Sequence, residues 1–370
     1  VILDKYSYMN NNNIDPFSSR KNNFDFIRFI AASSVIFSHS YVIAPTQFVE
    51  PLVYMSNNKI AIGQFSVMVF FIISGYLIPQ SYLRSKSVID YLSARFLRII
   101  PGLFIVLLVS VFLVGPVVTN LSIIEYFSDS QSYSYLQKVL LFRGQEGLPG
   151  VFENNFFKNA VNGSLWTISY EFLMYLFVIV VGLFFQKKYI KSVILIILTV
   201  LVFHNLFYKI DLLIFSFYFL LGYLAYYFRR FINLRFPYLI VSLCLIYASF
   251  NLIDHRLISN LIITLPVTYI ILYISFLPNL RFNDMAKYGD FSYGVYLYGF
   301  LNQQILAHFY PSWNNFQNFL IGFLCSLICA FFSWHLIEKK ALSSKKILSS
   351  QIQIYLNNVK SFYTQYLFRK

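Results

Sequence analysis

Apolar runs of about 17–21 residues recur along the chain from Phe24 to His335, separated by short polar and basic segments, which is the length a helix needs to cross a bilayer. The pattern predicts helices near 24–44, 61–82, 99–118, 164–184, 192–208, 212–228, 236–252, 261–277, 291–309 and 318–336. The expected fold is an all-α membrane protein of about ten transmembrane helices in one bundle. A polar, asparagine-rich segment, 1–23, precedes the membrane domain, 24–338, and an amphipathic tail, 339–370, follows it and is expected to lie on the inner membrane surface. In the longest segment between spans, 119–163, Tyr135-Leu-Gln-Lys-Val-Leu-Leu-Phe142 reads as a short interfacial helix. No internal repeat is visible, which argues against an inverted-repeat transporter.

Composition agrees with lipid as the solvent. With 58% hydrophobic and only 12% charged residues, the 370-residue chain has too little polar surface to cover a water-soluble globule. The formal charge of +14 raises the question of nucleic acid, but the basic residues fall in clusters between apolar runs and not along one face, so no nucleic-acid partner is expected. Alternate segments carry eighteen Lys and Arg on one side and six on the other, which places both termini in the cytoplasm. The first twenty residues lack an apolar core with a cleavage site, so the first helix is expected to serve as its own insertion signal. Cys244, Cys325 and Cys329 lie inside predicted spans without disulfide or metal-ligand spacing, and no metal is expected.

Ionisable residues inside spans are costly and point to function. Asp25, Arg28 and His39 stand on the first helix; the eleven-residue step from Arg28 to His39 puts them about 20° apart in azimuth and about 16 Å apart along the axis. Asp25, three residues before Arg28, can pair with it. Arg28 can alternatively be an arginine snorkelling to headgroups, and His39 a neutral imidazole bonded to a carbonyl. The fourth helix begins Asn162-Gly-Ser-Leu-Trp-Thr-Ile-Ser-Tyr-Glu171, so Glu171 should sit about 10 Å and His39 about 8 Å below the outer helix end, at one depth, where an acid could orient an imidazole base. Arg95 and Arg98, in Ser93-Ala-Arg-Phe-Leu-Arg-Ile-Ile-Pro101, occupy the inner loop before the third predicted helix. Two guanidinia at i,i+3 suit a phosphate-rich ligand, and ordinary positive-inside arginines are the alternative. His204, His255, His308 and His335 fall at helix ends and read as interfacial.

At these residues the chain resembles the acyltransferase 3 family of integral membrane acyltransferases, in particular bacterial members that O-acetylate polysaccharides. The resemblance runs from Phe24-Asp-Phe-Ile-Arg28 with His39, through Phe70-Phe-Ile-Ile-Ser-Gly-Tyr-Leu77 and Arg95-x-x-Arg98, to Leu148-Pro-Gly-Val-Phe152 and Asn162-Gly-Ser-Leu-Trp-Thr167 with Glu171. It continues through Asp290-Phe-Ser-Tyr-Gly-Val-Tyr-Leu297 to His335-Leu-Ile-Glu338. Two positions depart from the family pattern: Tyr298-Gly299 stands where a histidine often follows Tyr-Leu, and Lys340 where a proline often follows Glu-Lys.

The resemblance implies a multi-pass enzyme of the bacterial cytoplasmic membrane that moves an acyl group, acetyl by preference, from cytoplasmic acyl-CoA to a sugar hydroxyl of a surface polysaccharide or its lipid-linked precursor. Acetyl-CoA is then the co-substrate. Arg95 and Arg98, with Arg28, would hold its phosphates; His39 would act as base or acyl carrier, with Glu171 orienting it. Ser164, Trp166 and Tyr170 would face the sugar, although an interfacial aromatic belt also explains the two aromatics. The competing readings are a lipid-linked oligosaccharide flippase or other transporter, and a family member acting on a small metabolite or a peptidoglycan sugar.

Overall fold

The structure, a computed structural model, describes residues 22–140, 147–184, 210–277, 287 and 289–367. Among these the protein is helical throughout, apart from an isolated bridge between Thr119 and Val151. The main helices are α1 (Phe24–Ile43), α2 (Ile62–Arg84), α3 (Val88–Val118), α4 (Trp166–Phe184), α5 (Ile210–Tyr227), α6 (Phe236–Leu252), α7 (Arg256–Ser275), α8 (Ser292–Phe309), α9 (Asn315–Ser343) and α10 (Lys345–Leu367). α1, α2, α3, α4, α7 and α9 are long and apolar enough to cross a membrane, while α5 and α6 are shorter apolar helices. A bilayer offers backbone groups no water, so helices that satisfy their own N–H and C=O groups are the form such segments take. The helix expected near 192–208 lies outside the described residues, as do His204 and the last two residues of the segment 135–142, whose described part is a 3-10 turn at Tyr135–Leu140.

α1 is the central post, packed against α2, α8 and α9. The start of α1 is tied to the end of α7, where Asn23 N–H donates to Ser275 O (2.9 Å) and its side-chain amide to Ile274 O (3.0 Å). α2 and α5 cross at Gly75 and Gly222: a Cβ on Gly75 would lie 2.0 Å from Phe219 O, and one on Gly222 would lie 2.0 Å from Ile72 O. Backbones therefore touch at this crossing, and the ring stack of Phe71 on Phe215 (4.6 Å) and the edge contact of Tyr76 with Tyr226 (5.6 Å) set the two helices parallel on either side of it.

Two elements depart from the sequence expectation. The third helix begins at Val88, not near 99, because Ser87 caps it by accepting from Asp90 N–H (3.1 Å); Arg95 and Arg98 therefore stand on a helix and not in a loop. The other departure is the segment before α4, which does not stay at the bundle end but descends along α8. Asn155 donates to Gln304 O and Oε1 (both 2.9 Å), Gln304 Nε2 donates to Phe157 O and Ala160 O, Asn162 Nδ2 donates to Leu297 O (2.7 Å), and Tyr296 Oη donates to Ser164 O (2.8 Å). From Gln304 to Tyr296 is about 12 Å of helix rise, so α4 starts deep inside the bundle. The descent begins at Phe152, a bulky residue held at φ 58 with its carbonyl accepting from Asn155 and Asn159 N–H.

Gly75→Ala is expected to separate α2 from α5, with overpacking that costs about 1–3 kcal/mol. Thermal melting of the detergent-solubilised protein checks this: the variant should melt well below wild type, and an unchanged melting temperature would contradict the backbone contact.

Candidate active site

α1, α2, α3, α4 and α8 converge on a small, partly open cavity of about 50 Å³. Its polar lining is Arg28 from α1, Ser74 from α2, Arg98 from α3, Thr167, Glu171 and Tyr175 from α4, and Ser292, Tyr293 and Tyr296 from α8. The three α4 residues stand at i, i+4 and i+8, so a single face of that helix points inward. Val67, Phe70, Phe71, Ile99 and Ile168 complete the wall with apolar surface.

Glu171 is the hub on one side. Its Oε1 accepts from Tyr175 Oη (2.5 Å) and from Ser74 Oγ (3.4 Å), and lies 4.0 Å from Arg28 Nη2. Arg28 Nε is buried without a hydrogen-bond partner among the described residues. Asp25, expected to pair with Arg28, makes no ion pair with it among these residues; the guanidinium reaches across the bundle to α4 instead of back along its own helix.

Arg98 organises the other side. Its Nη2 meets Asp290 Oδ2 at 2.5 Å, its Nη1 lies 3.6 Å from Glu338 Oε2, and the guanidinium packs over the rings of Tyr293 (5.4 Å) and Trp334 (5.9 Å). Glu338, 1% exposed, also accepts from Ser333 Oγ (2.8 Å). Both carboxylates arrive from elsewhere in the chain: Asp290 from the residues just before α8, and Glu338 from a π-helical turn, Trp334–Glu338, inside α9. Burial by itself would raise the Asp290 carboxyl, but the Arg98 guanidinium, then Arg28 and the hydrogen bonds from Ser292, outweigh it and hold the group below the usual carboxylate range.

Arg95 and Arg98 do not share a ligand-facing side. Arg95 turns toward α2 and α4, donating to Ser81 Oγ (3.2 Å) and covering the rings of Tyr91 (6.0 Å) and Tyr175 (5.6 Å), outside the cavity lining. His39 is also outside that lining. Its ring stands edge-on to Phe300 (5.1 Å), and its Nδ1 is buried with no hydrogen-bond partner among the described residues. The adjacent turn of α1 is clamped by Gln303 Nε2, which donates to Ile36 O (2.9 Å), and by Ser38 Oγ, which donates to Glu50 (3.2 Å).

The expected meeting of Glu171 with His39 does not occur, because the chain descends about 12 Å along α8 from the level of Gln304 before α4 starts. Thr167 contacts Tyr296 (2.5 Å), and Glu171 lies one turn beyond, at the level of Arg28. On α1, Ala32 and Val35 occupy the stripe between Arg28 and His39, and both are buried. Trp166 and Tyr170 face Phe215 of α5 (5.5 and 5.3 Å), on the side of α4 away from the cavity; Ser164 is buried above it, with Oγ unpartnered among the described residues.

Sequence reasoning passed over Tyr175, Thr167, Ser74 and Tyr296. The i±4 spacing about Glu171 was the available signal for Thr167 and Tyr175, whereas Tyr296 gives none beyond its motif. Asp290 and Glu338 stood inside recognised motifs without a role, and only the meeting of three distant elements assigns one.

Asp290→Asn is expected to cost about 1.5–3 kcal/mol by removing a charged hydrogen-bond partner from a buried guanidinium. Because the folded carboxyl sits below its unfolded value of about 3.9, its contribution is full above that pH and fades as pH falls through the folded value. Melting curves of wild type and variant should therefore differ at neutral pH and approach each other below about pH 4; a gap that widens in acid would contradict the pairing.

With this geometry in hand, comparison with known proteins identifies the chain. The acyltransferase 3 family, described as an acyltransferase domain, matches residues 21–335. A protein named O-acetyl transferase from Shigella phage Sf6 is 28% identical over 350 residues, covering 88% of this chain and 97% of its own length. Nodulation protein 10 from Rhizobium leguminosarum bv. viciae is 38% identical over 88 residues, covering 24% of this chain and 23% of its own length. No solved structure matches the chain. Since the family match includes every helix that lines the cavity, this multi-pass membrane protein belongs to the acyltransferase 3 family.

Proposed function

We propose that the protein moves an acetyl group, or another short acyl group, from acyl-CoA to a sugar hydroxyl of a surface polysaccharide or its lipid-linked precursor in the bacterial cytoplasmic membrane. The observation that carries this reading is the cavity itself: arginines from two helices and one carboxylate meet inside an otherwise apolar helix bundle, at the end where α1 begins. Charge is retained in such a place for a polar ligand. Similarity to a phage protein named for O-acetyl transfer supports the reaction class. The charge asymmetry of the chain supports ten helices with both termini cytoplasmic, which puts the start of α1 on the side where acyl-CoA is found.

Acyl-CoA docks at the basic end. Of the two arginines that line the cavity, Arg28 is better able to turn to its phosphates, because its nearest carboxylate is at 4.0 Å and its Nε is unpartnered among the described residues, whereas Arg98 is paired with Asp290 at 2.5 Å and also faces Glu338. Arg95 adds positive potential behind Tyr175. The pantetheine arm extends along α1 toward His39, and its passage requires the packing at Ala32 and Val35 to part. At His39 the acceptor oxygen attacks the thioester carbonyl carbon, a C–O bond forms and the C–S bond breaks. The imidazole takes the hydroxyl proton and returns it to the departing CoA thiolate. In the two-step variant of the same chemistry, His39 first carries the acyl group and then yields it to the sugar. Ser164 and the descending segment beside it lie on the acceptor side of this path, with Trp166 exposed at its edge and Tyr170 buried behind it.

Purified protein in lipid nanodiscs, given acetyl-CoA and a polysaccharide acceptor, tests the reading. His39→Ala should lower transfer by about 10²–10⁴-fold at unchanged folding, and a fully active variant removes His39 from the mechanism. Arg28→Gln should weaken acetyl-CoA binding about tenfold, as loss of one charge-assisted contact does; unchanged donor affinity contradicts the assigned docking. Wild-type protein that moves lipid-linked oligosaccharide across vesicles without transferring acetyl groups would be a transporter.

A further inference from the structure

We propose that Tyr175 is the positioning residue of the donor site: its phenol holds the Glu171 carboxylate away from Arg28 and so leaves that guanidinium available to acyl-CoA. The proposal rests on the donor-binding role given above to Arg28.

Tyr175 is 1% exposed and stands one helical turn after Glu171 on α4. Its Oη donates to Glu171 Oε1 at 2.5 Å, the shortest contact that carboxylate makes among the described residues. The same oxygen is the one nearest Arg28, at 4.0 Å, which is beyond the roughly 2.7–2.9 Å of a charge-assisted pair. Ser74 reaches Oε1 only at 3.4 Å, too long to fix a carboxylate against the attraction of a guanidinium in an apolar cavity.

The phenol is itself fixed from two directions. Tyr91 Oη donates to the carbonyl of Tyr175 (3.1 Å) and anchors the backbone, while the Arg95 guanidinium lies over the ring, 5.6 Å from its centroid. A cation near a phenol ring makes its O–H a better donor to a carboxylate, so Arg95 acts on the site through Tyr175 without entering the cavity. Three of the ionisable residues that the sequence singles out, Arg95, Glu171 and Arg28, are joined in a chain by one tyrosine.

Without the hydroxyl, Glu171 closes on Arg28 and neutralises it. Tyr175→Phe should therefore raise the KM for acetyl-CoA and the Kd for CoA about tenfold, with kcat and the acceptor KM within about twofold. A role in folding alone would do the opposite, lowering kcat through the active fraction and leaving KM where it is. Tyr126→Phe, which removes a buried phenol bonded to the Val111 carbonyl (2.9 Å) outside the cavity lining, should leave all four constants unchanged. In a Glu171→Gln background, where the carboxylate that Tyr175 holds is gone, Tyr175→Phe should no longer change the Kd for CoA.

The measurement is CoA binding and steady-state transfer by the full-length protein in nanodiscs. An unchanged Kd in Tyr175→Phe overturns the proposal, as does an equal rise in the Glu171→Gln background or an equal effect of Tyr126→Phe. Arg28→Gln separates the two levels of argument: if it weakens CoA binding and Tyr175→Phe does not, the positioning role alone fails, and if it does not weaken CoA binding, the donor site assigned to Arg28 fails with it.

Discussion

A charge held between helices in a bilayer has no water to fall back on, and the architecture around the cavity follows from how two arginines are compensated there. Arg98 is surrounded: Asp290 and Glu338 supply opposite charge, and Tyr293 and Trp334 cover its faces. In meeting these demands it fastens α3 to the beginning of α8 and to the π-helical turn of α9. Arg28 is compensated more loosely, by one carboxylate at 4.0 Å. The tight cluster acts as a structural fastening, whereas the looser pair is the one the proposed donor site would use.

Amides perform the corresponding task for the segment that enters the bundle before α4. Irregular backbone is tolerated at membrane depth only where its polar groups are satisfied by protein. Asn155, Gln304 and Asn162 do this in sequence down α8, and Tyr296 takes over at Ser164. This ladder sets the depth at which α4 starts. It therefore decides that Glu171 comes to Arg28 and Tyr175, not to His39.

His39 and the cavity are consequently two stations on one helix. Between them α1 presents Ala32 and Val35, small and β-branched residues packed against neighbouring helices. In the reaction proposed above, this packing would keep the thioester apart from the acceptor side until the helices shift, limiting the loss of the activated acyl group to water.

The sequence by itself determined the helical membrane class, most helix positions and the family, and it singled out Arg28, Arg95, Arg98 and Glu171 as charges in or beside the spans, because apolar periodicity and intramembrane charge are local properties of the chain. It also determined that Arg28 and His39 share a face, since both lie on one helix. Only the tertiary structure decided which charge meets which. Asp290 and Glu338 reach Arg98 from 192 and 240 positions away. The register of α4 against α1 depends on a descending segment whose hydrogen bonds run to another helix. Tyr175, an unremarkable tyrosine in an apolar run, becomes part of the site for the same reason: contacts between helices are set by depth and rotation, and neither is encoded in the spacing of residues along a single helix.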